Sequence, residues 1–107
     1  MDDPTVLPQF LTEGWRTQSF EPFRSGVSIC VLRDDDPKVA LLRYEPGASV
    51  PYHRHAGLEM IQVLEGTQSD DRGTYGLGDV VLNPPGSAHR VWSSEGCVVL
   101  ILWERPV

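Results

Sequence analysis

GASVPYHRHAGLE, residues 47–59, carries two of the chain's three histidines, His53 and His55. Residues two apart on a β-strand point to the same face, so a strand over 50–55 projects both imidazoles the same way. Glu59 follows His55 by four, and the third histidine, His89, lies on a later predicted strand. Brought together, His53, His55, Glu59 and His89 make a His₃Glu set. Neutral imidazole nitrogens with one hard carboxylate oxygen suit a divalent first-row metal. The rest of the chain is then the scaffold that carries His89 to the other three.

Outward from this stretch the chain reads as short strands between Gly/Pro turns. Residues 27–33 (VSICVLR) and 38–44 (KVALLRY) flank the charged turn Asp34-Asp35-Asp36-Pro37, and Pro46-Gly47 closes the second run. Gly57 and Gly66 bracket the short segment LEMIQVLE, which favours a strand over a helix. Asp70-Asp71-Arg72-Gly73 reads as a hairpin-like turn. A short strand over 80–83 precedes Pro84-Pro85-Gly86, which must be loop, and AHRVWS alternates from Ala88. CVVLILW, 97–103, is continuously apolar, as expected of a strand buried on both faces. A short strand is also expected over Trp15–Phe20, interrupted by Pro22. With no convincing helix, the pattern predicts a single all-β sandwich or barrel.

The chain has 107 residues, room for one domain, and a 40% apolar content sufficient for one modest core. Formal net charge is −6, which argues against a nucleic-acid or anionic-membrane surface. No apolar run has the length of a membrane span, and the acidic start MDDPTVLPQF is not a signal peptide, so a cytoplasmic protein is expected. Cys30 and Cys97 form no CxxC, and both read as reduced, buried thiols. Residues 1–19 are expected to form an N-terminal arm or edge strand on a barrel spanning 20–107. The apolar residues of that arm, Val6, Leu7, Phe10 and Leu11, have little core of their own to join and point to a homodimer.

An isolated HxH is weak evidence, but the spacing around it is not. Gly47, five residues, His53, one, His55, three, Glu59, six, Gly66 matches the first cupin motif. Gly78, five residues, Pro84, one, Gly86, two, His89 matches the second, with Ser93 where Asn is usual. The chain therefore resembles the cupins, and the phrases PFRSGV, VALLRYEPGASVPYHRHAGLEMIQVLEG, NPPGSAH and EGC resemble the cupin domain of the ChrR family of anti-sigma factors. That resemblance implies a jelly-roll barrel holding zinc through His53, His55, Glu59 and His89, with iron, manganese or nickel as the other metals of this site type. In such regulators the sigma-binding half is a separate N-terminal helical zinc domain. Here about twenty residues, without His or Cys, precede the matching region. The expectation is a free-standing cupin to which direct anti-sigma function does not carry over.

Two functions compete. One is a small-ligand or redox-responsive metal module. The other is a metal-dependent dioxygenase acting on a small oxygenated compound. A metal-free, isomerase-type cupin is a third, weakened by the complete ligand set. By strand parity Ile61, Val63 and Val91 are candidate pocket walls, with Tyr44, Tyr52 and Trp92 at the border and core packing as the default role. Arg54 and Arg90 alternate away from their histidines toward solvent. No nucleophile–base pair is detectable, and Ser87 belongs to a turn.

Overall fold

The computed structural model describes residues 3–107, so the first two residues of the expected arm lie outside the described residues. Ten strands follow one another: β1 (Glu21–Arg24), β2 (Val27–Arg33), β3 (Lys38–Tyr44), β4 (Ser49–Arg54), β5 (Glu59–Gly66), β6 (Gln68–Asp70), β7 (Gly73–Tyr75), β8 (Val80–Asn83), β9 (Ala88–Trp92) and β10 (Cys97–Trp103). They form a six-stranded sheet, β1-β2-β3-β10-β5-β8, and a four-stranded sheet, β4-β9-β6-β7. Among the described residues no helix is long and apolar enough to cross a membrane.

The two sheets face each other over one apolar core. Val27, Ile29, Leu42, Ile61 and Val99 come from the larger sheet and Val91 from the smaller. Burying a side chain of this size contributes about 1.5–3 kcal/mol. β10 lies centrally between β3 and β5, which is why its sequence is apolar on both faces. Its close approach to β5 is possible because Gly66 lacks a side chain. At φ +70°, a Cβ there would sit 2.0 Å from the Gly96 carbonyl oxygen.

The outer face of the larger sheet is covered by the N-terminal segment, and here three expectations are corrected. Trp15 does not begin a strand. It sits in a short 3₁₀ turn, Gly14–Thr17, and the strand starts later, at Glu21. Trp15 is only 2% exposed because it packs with Phe10 on Leu41, Leu64 and Val98. Burial of the indole against the sheet outweighs the strand-like pattern of the segment. Phe10 therefore has a core of its own chain to join, while Val6, Leu7 and Leu11 stay exposed. Pro22 is part of β1 rather than an interruption of it. β1 is an edge strand with an irregular register beside Pro22, where a missing N–H is tolerated.

Candidate metal centre

Both sheets contribute to one polar cluster at one end of the core. The β4–β9 pairing sets His53 directly opposite His89. His55 follows the end of β4, where its N–H donates to the Ser87 carbonyl (2.8 Å) and its carbonyl accepts from Gly86 (2.8 Å). The Pro84-Pro85-Gly86 turn thus pins His55 as well as delivering β9. The three imidazoles pack edge to face, with centroids 4.6–5.1 Å apart. One ring nitrogen from each lies within 4.8 Å of the others. Glu59 comes from the opposite sheet, with its Oε1 3.1 Å from His55 Nε2 and 3.7 Å from His89 Nε2. The structure therefore groups His53, His55 and His89 as a candidate ligand set, with Glu59 against two of them, His55 and His89.

The hydrogen bonds decide what the cluster can do. His53 Nδ1 lies 2.9 Å from the Pro51 carbonyl oxygen, so it must be the protonated nitrogen. The Ser87 hydroxyl donates to the Pro84 carbonyl (2.6 Å), leaving its oxygen to accept from His55 Nδ1 at 3.0 Å. Asp70 Oδ2 accepts from His89 Nδ1 at 3.1 Å. Each ring thus carries its proton on Nδ1 and turns a bare Nε2 toward the centre. His55 Nε2 and His89 Nε2 are buried without a hydrogen-bond partner. Bare lone pairs 3.1 Å from a carboxylate oxygen repel it unless a cation lies between. A protonated His55 is the alternative. Burial pushes its pKa below the ordinary imidazole value, with the neighbouring His89 and His53 adding to the effect against the opposing Glu59 charge. The donor set fits a divalent metal, and a core of three ordinary structural histidines does not explain it.

Glu59 is held at both oxygens. The Asn83 amide donates to Oε1 (3.2 Å) and the Trp103 indole N–H to Oε2 (2.8 Å). These partners face Glu59 across β8 and β10 respectively. Asp70 is the functional residue that sequence reasoning missed. Its Oδ1 accepts from the Arg72 and Gly73 N–H groups and from the Tyr75 hydroxyl, while Oδ2 serves His89. Burial pushes the Asp70 carboxyl up, but the bonds from Arg72, Tyr75 and His89 overcome it and hold the pKa below the ordinary value. The remaining signal was a carboxylate at the mouth of a hairpin, where acids are normally solvated.

A cavity of about 200 Å³ opens onto the centre at His53, Glu59 and His89. Ile61, Val91 and Tyr44 line it as expected, whereas Val63 packs in the core. Tyr52 points to solvent, and Trp92 lies beneath the Arg90 guanidinium, 4.6 Å from its ring centre. Arg54 is exposed and donates to the Gly86 carbonyl. Cys30 and Cys97 are free thiols, with Cys97 buried and Cys30 half-buried.

Comparison with known proteins places this geometry. The profile of the ChrR Cupin-like domain family matches residues 12–106. The anti-sigma-E factor ChrR of Cereibacter sphaeroides is 30% identical over 96 residues, covering 87% of this chain and 43% of that protein. The chain thus spans less than half the length of this relative. Among solved structures, ChrR of Rhodobacter sphaeroides in complex with SigE superposes with a TM-score of 0.79 at 24% identity, covering 94% of this chain and 57% of that one. An acetylacetone dioxygenase from Acinetobacter johnsonii superposes with a TM-score of 0.73 at 16% identity, covering 78% and 66%. At these identities the solved structures establish a shared fold.

Proposed function

Because the chain belongs to the ChrR Cupin-like domain family, we propose that it is a metal-holding sensory cupin. His53, His55, His89 and Glu59 would bind one divalent ion, zinc first, and the adjoining cavity a small ligand. The observation that carries this is the set of Nδ1 hydrogen bonds, which leaves every Nε2 free to ligate. Glu59 as carboxylate would offset part of the ion's charge in a poorly solvated site. The metal supplies Lewis acidity when bound. The protein's own residues orient the imidazoles, exclude water behind Ile61 and Val91, and present an apolar wall to whatever enters. A cytoplasmic location belongs to the same proposal.

The second reading, a dioxygenase acting on a small oxygenated compound, is favoured by the way the cavity opens directly onto the centre. Metal identity separates the two. Elemental analysis of protein purified without a histidine tag should find a single zinc ion per chain, and an oxygen electrode no uptake with acetylacetone. Iron with oxygen consumption would establish the second reading instead. Failure to retain any divalent metal after dialysis would refute both.

The partner of this cupin is proposed to be a second copy of the chain. Supporting it are the exposed Leu77, Val80 and Leu82 on and beside β8, an edge strand with unpaired backbone groups. Light scattering should give twice the chain mass at micromolar concentration, and a monomer mass would refute it. The SigE complex belongs to the longer ChrR protein.

A further inference from the structure

We infer that the cavity beside the metal centre is built for a short oxygenated carboxylate, carboxyl group at one end and a carbonyl or hydroxyl oxygen at the other. The inference rests on the reading of the centre as a metal site and names the ligand class for it. The cavity has two polar ends and an apolar middle. At one end stand His53, His89 and Glu59, beside Trp103. At the other stand Tyr44 and Gln68, both buried. Strand register sets the two groups at opposite ends of β10, and the Tyr44 ring reaches back far enough for the Glu59 charge to act on its hydroxyl. Glu59 pairs with Trp103 at one end of β10, while Tyr44 pairs with Cys97 at the opposite end. Between them Leu42, Val50, Ile61 and Val91 supply walls without hydrogen-bonding groups.

Charge at the second end selects an anion. Arg24 pairs with Val27, and Val27 pairs with Tyr44, so the guanidinium belongs to the Tyr44 end of the cavity. Arg24 on the edge strand β1 is the cation lining this end, while Arg54 on β4 lines the cavity beside His53 and is held by the Gly86 carbonyl. Glu59 is the sole acidic side chain among the described lining residues of a chain whose formal net charge is −6. The acid is already committed to the centre. Burial keeps the Tyr44 hydroxyl protonated by pushing its pKa well up, so it is a donor, and Gln68 lies beside it. Gln68 hydrogen-bonds the Tyr44 oxygen and leaves the Tyr44 proton to a guest, which a carboxylate accepts and a purely apolar guest does not. Its second oxygen then faces the metal end. Size sets the chain length. A volume of about 200 Å³, at about 30 Å³ per water-sized group, admits a guest of about six to eight non-hydrogen atoms.

Levulinate, a five-carbon acid with a ketone, approximates this shape, and pentanoate and 2-pentanone each lack one of its two polar ends. Calorimetric titration of the zinc-loaded protein should find levulinate at least about tenfold tighter than either, as expected for one charge-assisted hydrogen bond set at each end. Arg24→Gln and Tyr44→Phe should each weaken levulinate by about tenfold and leave 2-pentanone unchanged. Stripping the metal should bring levulinate down to the level of pentanoate. Arg24 is exposed, so its variant folds, and chelator competition should show its zinc affinity intact. A wild type that binds zinc but takes all three compounds equally, or an Arg24→Gln protein with undiminished levulinate affinity, overturns the ligand class alone. A wild type that binds no zinc overturns the site reading and this inference with it.

Discussion

Replacing Asp70 by Asn removes no atom from the core, yet it should cripple the centre. Asp70 Oδ1 faces three donors, the Arg72 and Gly73 N–H groups and the Tyr75 hydroxyl, and Oδ2 faces His89 Nδ1. Asn has one oxygen and one NH₂. Turning the NH₂ toward the three donors would set donor against donor at each, so the oxygen stays there and the NH₂ turns to His89. His89 must then accept at Nδ1 and carry its proton on Nε2, the nitrogen that faces the metal. Ligation requires that tautomer to be reversed against a misdirected amide. Loss of such an outer partner typically costs about 10–100-fold in metal affinity, or about 1.4–2.7 kcal/mol. Zinc affinity measured by competition with a chromophoric chelator should fall by at least that much. Asp71→Asn is the control, since Asp71 accepts only the Arg90 N–H on the exposed side of the same turn. Far-ultraviolet circular dichroism should show both variants folded. Zinc affinity of Asp70→Asn within twofold of wild type would mean the His89 tautomer is not set by Asp70.

Glu59→Gln keeps the shape of the side chain and removes its charge, and should weaken zinc by more than about 100-fold, beyond the range of an outer partner. Glu65→Gln, exposed on the same strand, should change nothing; equal affinities would redraw the site as three histidines and water. Stripping metal from the wild type should lower the melting temperature, more at higher initial zinc, whereas an unchanged melting temperature would leave the ion no part in the fold. Burial pushes the Cys97 thiol up to about 11 from an ordinary value of 9.0. The folded state thus favours the protonated thiol, so its contribution of about 3 kcal/mol is complete below pH ~9 and disappears as pH rises through ~11. Urea titrations across that range should show wild type losing stability more steeply than Cys97→Val, and parallel slopes would contradict the assignment. Trp15→Ala should cost about 3–5 kcal/mol in urea and leave zinc affinity alone; a cost below ~1 kcal/mol would mean the N-terminal segment is not docked.

The strands and the four clustered residues were legible because each rests on a short-range rule. Period-two spacing aligned His53 with His55, Gly57 and Gly66 bounded β5, and the double-proline turn located His89. What escaped depends on which strands lie side by side. Asp70 reads as a solvated turn acid until β6 pairs with β9 and brings it opposite Val91, near His89. Trp103 reads as the end of an apolar run until β10 pairs with β5 and its indole meets Glu59. Ser87 reads as a turn residue, and its use, to steady His55, appears only once the Pro84-Pro85-Gly86 turn lies against the end of β4. The strand expected at Trp15 failed for the same reason, because only the assembled sheet offers the back face where that ring is buried.

The ligand set draws on both layers of the sandwich: His53 and His89 on the smaller sheet, His55 just beyond it, Glu59 on the larger. An ion there is a covalent-like rivet through the middle of the protein, joining segments that the backbone connects only by loops. With such a rivet in place, the layers would separate only after a metal–ligand bond broke, so ion release and exposure of the apolar interior would become one event. In a protein of this build, loss of a bound metal would therefore be reported as a change of surface.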